Sequence, residues 1–270
     1  MQNIFIVIGS NSAIAKEFSC YVSSLGHHVI GISKKGNKNV YLNEFYLSDD
    51  KRVKDILGNL SGNEVILYCA WRSPKRSKNG EEVYEKETSI TELFYYLDLI
   101  NIDNLNRFIF ISSAGAVYGD NNKINKEDLS ANPITDYGKE KLSAEEILKK
   151  LEPKLKLIIC RVTNPYGFMT LPENGIGFID HAIYSALSNK QINIFGTGKV
   201  LRDYIHIFDV CSYIFMLSQQ EVNGIFNVGS GKSIKIIDIA LLIQDKFSNT
   251  EIKYFQVNDS PIKKSIIDIK

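Results

Sequence analysis

Short apolar stretches alternate with helical patterns through the first two-thirds of the chain. The first stretch, residues 3–8, is rich in Ile, and an amphipathic pattern follows it over residues 12–25. Apolar strands separated by helices are typical of a parallel sheet covered by helices on both faces. Right-handed crossovers then give a doubly wound α/β fold, the Rossmann architecture. Further strands are predicted at His28–Ser33 and at residues 64–70, 107–112 and 155–162.

The pattern changes after about residue 165. Glycine-rich turns separate a predicted helix at residues 179–188, a short strand at Ile192–Phe195 and a segment at residues 225–231. We therefore predict a Rossmann domain over residues 1–165 and a small α+β C-terminal lobe over residues 166–270, with some strand elements interleaved between them. In such folds ligands bind at the carboxyl ends of the strands, where the lobes meet.

Composition narrows the partners of the chain. Its 270 residues carry a net charge of +1, so no global field attracts nucleic acid or a membrane surface. The apolar run Ile4–Ile8 is too short to span a bilayer. The four cysteines and four histidines show neither a C-x-x-C pair nor metal-ligand spacing. We expect a cytoplasmic protein with reduced thiols and no metal.

The turn after the first predicted strand resembles a phosphate-binding loop. Gly9 permits a tight turn, while small residues at Ser12 and Ala15 would let the backbone approach a pyrophosphate and the helix pack on the strand. The alternative is an ordinary strand–turn–helix with Ser12 as N-cap, because only one of three expected glycines is present. The first hypothesis predicts that a dinucleotide contacts Gly9, Ser12, Ile14 and Ala70.

The end of the second strand bears on which dinucleotide binds. NAD-preferring sites place a carboxylate there for the ribose hydroxyls. Here the strand ends in Ser33 and Lys34, and a hydroxyl followed by a lysine suits a 2′-phosphate. This favours NADP(H), with NAD(H) possible; the alternative is that the lysine belongs to a solvated turn.

Tyr137 and Lys141 are four residues apart in a predicted helix, so their side chains lie on one face. A free tyrosine has a pKa near 10 and must lose roughly 3 units to act as a base at neutral pH. A neighbouring ammonium favours the phenolate and can supply part of that shift. In isolation the pattern is better explained by a surface lysine beside a half-buried tyrosine.

Motifs around this pair change that interpretation. Together the sequence resembles the extended short-chain dehydrogenase/reductase family, in its nucleotide-sugar epimerase/dehydratase branch, from Asn3 to about Asp268. The motifs that carry the resemblance are S-S-A-G-A-V-Y-G at 112–119, Y-G-K-E-K at 137–141, R-V-T-N-P-Y-G at 161–167, R-D-Y-I-H-I-F-D at 202–209 and F-N-V-G-S-G at 226–231.

The resemblance implies a role for each matching residue. Tyr137 would be the catalytic acid/base, and Lys141 would lower its pKa and hold the cofactor ribose. Pro165 would lie near the nicotinamide and Asn164 near the substrate diphosphate. Arg202 would clamp that diphosphate, a task suited to a planar, permanently charged fork.

Two of the matching motifs leave alternatives open. A salt bridge between Arg202 and Asp203 is the alternative to the diphosphate clamp. His206 is expected to be a packed or capping histidine rather than a catalyst.

The chain departs from the family at the reacting centre. The family places Ser or Thr four residues before the tyrosine of V-Y-G, where this chain has Ala114. Either a local bulge lets Ser113 serve as the catalytic hydroxyl, or Tyr137 works without it. The Asp-Glu pair of the dehydratases is replaced by Gly115 and Ala116, so elimination of water is not expected.

Phosphate binding also departs from the family. A second phosphate-binding arginine of the relatives corresponds to Gln256 here. The basic loop at residues 72–78 is a candidate substitute, and a solvated loop is the alternative.

These features predict an NAD(P)-dependent oxidoreductase acting at carbon 4 of a nucleotide-diphosphate sugar, with a 4-keto reductase slightly favoured over a 4-epimerase. Both reactions move a hydride while Tyr137 handles the proton. The hypothesis from another class is a non-catalytic dinucleotide-binding sensor or partner subunit, motivated by Ala114 and the missing glycines. Family members commonly dimerise through the helix bearing Y-x-x-x-K, so a homodimer is possible.

Overall fold

A twisted parallel sheet forms the centre of the molecule. The computed structural model describes residues 3–72, 75–76, 82–83, 88–120, 123–152, 154–169, 177–256 and 262–269. Within them, seven strands form one sheet in the order β12-β8-β7-β4-β1-β2-β3, which confirms the doubly wound prediction. These strands are β1 (Ile4–Ile8), β2 (His28–Ser33), β3 (Glu44–Leu47), β4 (Glu64–Tyr68), β7 (Arg107–Ser113), β8 (Leu157–Val162) and β12 (Gly224–Val228).

Helices cover both faces of this sheet. One face packs on α1 and α7, and the other on α2, α3 and α5. A five-residue helix, α4, leads away from the end of β7. These helices are α1 (Ala13–Ser24), α2 (Lys51–Gly58), α3 (Thr88–Leu99), α4 (Ala114–Tyr118), α5 (Asp136–Leu151) and α7 (Ile207–Ser218).

The two apolar faces of β7 explain this layering. Phe108 and Phe110 join the cluster under α5, whereas Ile109 and Ile111 join the cluster under α1 and α7. Successive side chains of a strand point to opposite faces, so a strand covered on both sides must be apolar throughout. The same alternation determines to which face of the sheet the side chains at the end of β7 point.

A second cluster of elements comes from the chain after β8, on both sides of β12 in the sequence. Ala182, Ala186, Ile192 and Ile194 pack with residues of the last helix in a separate small core. β10 pairs with β14, and β11 pairs with β9, β13 and β15. These elements are β9 (Asn164–Tyr166), α6 (Phe178–Leu187), β10 (Ile192–Phe195), β11 (Leu201–His206), β13 (Ser233–Lys235), α8 (Ile236–Lys246), β14 (Ile252–Phe255) and β15 (Lys264–Ser265).

The prediction that residues 225–231 belong to the small lobe is wrong for the strand in this segment. Gly224–Val228 pairs in parallel with Leu157–Val162 and is the edge strand of the central sheet. A short apolar strand has the same pattern in either lobe, and only its long-range partner distinguishes the two. The helix before it, α7, likewise packs on α1 in the large core.

Two smaller features complete the described chain. The short strands β5 (Lys75–Arg76) and β6 (Glu82–Val83) pair antiparallel, and a 3-10 turn occupies Ile102–Asn104. Within the described ranges, every helix falls short of the length and apolarity needed to cross a membrane.

Candidate active site

The turn after β1 is held tightly against two neighbouring strands. Gly9 and Ser10 donate backbone hydrogen bonds to the carbonyl of Ile32, at 2.8 and 3.1 Å. Gly9 has φ of +81°, and a Cβ there would lie 2.5 Å from the backbone nitrogen of Ala70. Only glycine fits this position, so the first predicted cofactor residue is fixed by both conformation and space.

The start of α1 leaves polar groups available for a ligand. Ser12 occupies the N-cap position, but its side chain makes no capping hydrogen bond. The hydroxyls of Ser10 and Ser12 are buried without a partner in the described structure. Ala15 packs in the large core where the third family glycine would stand, and Ile14 packs against that core.

These features fit a dinucleotide pyrophosphate. A helix N-terminus offers unpaired N–H groups and a partial positive charge, and the first turn of α1 carries no acidic residue. The backbone of Gly9 and the Ser12 hydroxyl would face that group, while Ala70 closes the other side of the turn.

Asn11 organises the rim of this turn, a role that sequence reasoning missed. Its side-chain amide donates to Ser33 Oγ at 2.9 Å and to the carbonyls of Lys35 and Gly36, and its oxygen accepts from the backbone N–H of Lys38. The loop after β2 is thereby tied to the phosphate-binding turn. The only sequence signal was an Asn in a tight turn, where its side chain often bonds backbone groups.

Lys34 is paired within the protein. Its ammonium lies 2.8 Å from a carboxylate oxygen of Glu92 on α3, and the Glu92 side chain is only 15% exposed. The carboxylate offsets the charge that a 2′-phosphate would seek. The geometry therefore weakens the basis for expecting NADP(H).

Local packing sets the position of Tyr137. Thr135 caps α5 by accepting a hydrogen bond from Gly138 N at 3.1 Å. A Cβ at Gly138 would meet the backbone oxygen of Ala116 at 2.2 Å, so α5 and α4 approach closely beside Tyr137. Tyr137 is half-buried, and burial raises the pKa of its phenol.

Lys141 is buried one helical turn beyond Tyr137. Its ammonium donates to the Ile111 carbonyl at 2.7 Å and lies 4.2 Å from the ring centre of Trp71 and 4.6 Å from that of Phe110. Burial lowers the pKa of Lys141 to about 7, opposed by the nearby Cys69, Glu145 and Glu140. The lysine is thus on the expected face, with its charge directed at a strand end and aromatic rings.

The bulge that would let Ser113 serve is absent. β7 pairs with β8 in an unbroken register from Phe108 to Ser113. Ser112 faces α5, since its hydroxyl donates to Glu145 Oε1 at 2.5 Å, so Ser113 addresses the opposite face of the sheet. The Ala114 methyl packs with Tyr118 and Ile267. The described geometry therefore argues against Ser113 as the missing hydroxyl, and the acid/base role of Tyr137 stays a prediction.

A buried ion pair under the site was also missed. Glu145 and Arg161 are 0% and 2% exposed, and their closest contact, Arg161 Nη2 to Glu145 Oε2, is 2.6 Å. The Arg161 guanidinium lies 4.6 Å from the Tyr118 ring centre, and the Tyr118 hydroxyl donates to Asn227 at 2.8 Å. Sequence could not reveal the pair because its members lie on different elements 16 residues apart.

Asp203 joins three of the motifs. Its carboxylate accepts from Ser230 N and Oγ at 2.8 and 2.9 Å, from Gly231 N at 2.8 Å, and from Thr163 Oγ1 at 3.4 Å. Its backbone oxygen accepts from the Asn164 side chain at 2.7 Å. The carboxylate therefore serves this loop and not Arg202, which contradicts the salt-bridge alternative.

The other residues of the small-lobe motifs are placed as follows. Arg202 donates to the carbonyls of Leu201 and Ile262, at 3.0 and 2.7 Å. Pro165 on β9 is the register partner of Ile205. His206 caps α7, since its Nδ1 accepts from Phe208 N at 3.2 Å, and this confirms the prediction of a capping histidine.

The candidate substitute for the missing phosphate-binding arginine, and the position of that arginine, lie at the limits of the described residues. Most of the basic loop 72–78 lies outside the described residues. Gln256 is exposed just beyond β14, and the residues that follow it, 257–261, are also outside the described ranges.

Fold and site together define a class. A doubly wound sheet with a close-packed glycine turn, an uncapped helix N-terminus and a tyrosine–lysine helix at the same edge is the framework of a dinucleotide-dependent short-chain oxidoreductase. Residues 5–229 match the model of the NAD dependent epimerase/dehydratase family. The chain belongs to this family and is an enzyme of it.

Individual relatives divide between reactions. The chain is 27% identical over 242 residues to a protein of Methanocaldococcus jannaschii provisionally named a UDP-glucose 4-epimerase, covering 87% of this chain and 79% of the relative. It is 28% identical over 235 residues to dTDP-4-dehydro-6-deoxyglucose reductase of Escherichia coli, covering 83% and 73%. The fold matches UDP-glucose 4-epimerase of Thermotoga maritima, solved with UDP-glucose, with a TM-score of 0.81, 23% identity and coverage of 99% and 90%.

Proposed function

We propose that this enzyme moves a hydride between a nicotinamide dinucleotide and carbon 4 of a hexose attached to a nucleoside diphosphate. The observation that carries the proposal is the position of Lys141. Its buried ammonium and Tyr137 share one face of α5, at the edge of the sheet where the Gly9 turn offers a pyrophosphate site. Proton handling and dinucleotide binding thus fall at one edge.

Each residue has a distinct task in this proposal. The Tyr137 phenol gives a proton to the sugar oxygen during reduction and its phenolate accepts one during oxidation. Lys141 supplies positive charge that favours the phenolate, and Arg202 and Asn164 hold the diphosphate from the small lobe. When bound, the dinucleotide accepts or returns the hydride.

The residues around Ala114 limit the chemistry. A methyl at this position offers no hydrogen bond to the reacting oxygen, and losing such a donor typically costs on the order of 10²–10³ in rate. Gly115 and Ala116 supply no acid or base, so we propose hydride and proton transfer without elimination of water.

Between the two carbon-4 reactions, the Lys34–Glu92 pair favours the epimerase. The reductase prediction depended on Lys34 attracting the 2′-phosphate of NADPH, and Glu92 at 2.8 Å offsets that attraction. An epimerase uses NAD, which the family name also specifies. The second candidate is a 4-keto reductase, favoured by the absence of a carboxylate at Ser33 and by the similarity to the E. coli reductase.

One set of assays separates these candidates. We expect purified protein to convert UDP-glucose to its carbon-4 epimer without added reductant, in the presence of NAD. Oxidation of NADPH or NADH by dTDP-4-dehydro-6-deoxyglucose, without epimerisation, would support the reductase instead. Dinucleotide binding without either reaction on a panel of nucleotide sugars would support the non-catalytic alternative.

We also propose that the enzyme is a homodimer. Helix α3, which contacts α5, carries the exposed rings of Phe94 and Tyr95, which are 47% exposed each. Exposed aromatic side chains are enriched in protein interfaces. Sedimentation equilibrium on wild type and on Phe94→Glu should give a dimer and a monomer, respectively.

A further inference from the structure

Trp71 lies at the edge of the sheet that contains the site. It follows Cys69 and Ala70 at the end of β4 and is the single tryptophan of the chain. Its backbone N–H donates to the Cys69 carbonyl at 2.9 Å, and the next residue, Arg72, is tied to Ser89 on α3. These contacts place the backbone on both sides of the indole at this edge.

The indole ring is fixed by its neighbours. The Lys141 ammonium lies 4.2 Å from its centre, a cation–π distance, and Phe110 packs edge-on at 5.5 Å with an interplanar angle of 78°. The cation lies over the ring face, so the in-plane indole N–H is left for another partner. The ring thus presents a donor beside the proposed catalytic lysine.

That donor has no acceptor in the described structure. Trp71 Nε1 is buried and makes no hydrogen bond, although part of the side chain remains exposed. Burying an N–H without a partner is unfavourable, and native proteins leave few such groups. The indole can only donate, so its missing partner must be an acceptor oxygen or nitrogen.

We propose that Trp71 is a binding residue whose indole N–H donates a hydrogen bond to a ribose hydroxyl oxygen of the dinucleotide. The inference rests on the proposed function, which places a dinucleotide at this edge. Ribose is favoured over the hexose because Ala70, the adjacent residue, closes against the Gly9 turn: a Cβ on Gly9 would lie 2.6 Å from the Ala70 Cα. Trp71 is therefore one residue from the dinucleotide turn, whereas Arg202 and Asn164 lie on β11 and β9.

The test removes the N–H while keeping the ring. Trp71→Phe does so with some loss of volume. Because the chain has one tryptophan, global replacement by β-(3-benzothienyl)alanine alters Trp71 alone and keeps the bicyclic shape. Calorimetric titration with NAD should give a Kd raised about 3- to 10-fold in both proteins, the effect of one hydrogen bond. Titration with UDP-glucose should give an unchanged Kd.

Thermal stability and the affinities for the two ligands distinguish the possible outcomes. Since the N–H has no partner in the free protein, the benzothienyl protein should melt no lower than wild type. Unchanged NAD affinity in both proteins, or a loss confined to UDP-glucose, would overturn the inference while leaving the proposed function intact. A wild-type protein that binds neither NAD nor NADP would overturn the proposed function, and the inference with it.

Discussion

The buried ion pair between Glu145 and Arg161 gives the sharpest test of how the site is supported. The pair is almost fully excluded from water, and Arg161 Nε and Nη2 both contact the carboxylate, at 2.6 to 3.2 Å. Ser112 adds a third donor. Removing one partner leaves a charge that water cannot reach.

The expected losses follow from that geometry. Arg161→Met should lower the free energy of unfolding by about 3–5 kcal/mol, because it strands the Glu145 carboxylate with one hydroxyl donor. Glu145→Gln should lower the free energy of unfolding by less, since the amide oxygen can still accept from Arg161. Arg161 Nη1 makes no hydrogen bond in the described structure, so this substitution does not remove a contact from it. The double variant should lose less than the sum of the two, with a coupling of up to about 3 kcal/mol.

Urea unfolding followed by circular dichroism measures these changes. The matched control is Asp245→Asn, which removes an ion pair whose members, Asp245 and Lys246, are 75% and 78% exposed, and it should change stability little. If Arg161→Met proves as mild as the control, or if the two changes add without coupling, the pair does not support the site as argued.

The remaining predictions concern ligands and protons. Tyr137→Phe should abolish turnover while NAD affinity, measured by calorimetry, stays within about twofold, since one hydroxyl is lost and the ring remains. Arg202→Ala should raise the KM for the nucleotide sugar in steady-state assays and leave cofactor affinity unchanged; equal losses would indicate a folding role. Glu92→Gln should release Lys34 and tighten NADP binding relative to NAD by about 3- to 10-fold in paired titrations, and a ratio that does not move would show that Lys34 is out of reach. Burial lowers the pKa of Lys141 from 10.5 to about 7, so between these pH values the unfolded chain binds one more proton than the folded protein, and the free energy of unfolding rises with pH. From pH 7 to 9, the free energy of unfolding of wild type in urea should rise relative to that of Lys141→Met by up to about 1.4 kcal/mol per pH unit. Parallel pH dependences of the two proteins would contradict the pKa shift.

Sequence patterns predicted what is local. β2 and β10 have the predicted bounds, because short β-branched runs between turn residues leave little choice of register. His206 was predicted to cap or pack, and its capping contact spans only two residues. Gly9 was singled out for conformation, and the structure adds that Ala70 leaves no room for a side chain there.

What sequence missed depends on neighbours far along the chain. Glu92, which pairs with Lys34, lies 58 residues away (92 minus 34) on a helix, and the sequence around Lys34 gives no sign of this pairing. The argument against Ser113 became visible only once the hydroxyl of Ser112 was seen to face α5. Trp71 became notable only through its position beside Lys141. Each of these is a tertiary contact, which single-residue patterns do not encode.

Under the proposed function, the state of Tyr137 in the free protein suggests how binding and catalysis are linked. Burial raises the pKa of its phenol, so at neutral pH the residue is protonated and ready to donate. The ammonium of Lys141 donates to the Ile111 carbonyl, and burial lowers its pKa to about 7. With Ala114 offering no hydroxyl, the charge of Lys141 favours the phenolate that oxidation requires, while the burial of the phenol opposes it. That form must therefore be stabilised by the charge and hydrogen bonds that arrive with the ligands, so proton transfer in the oxidative direction should depend on a fully assembled complex.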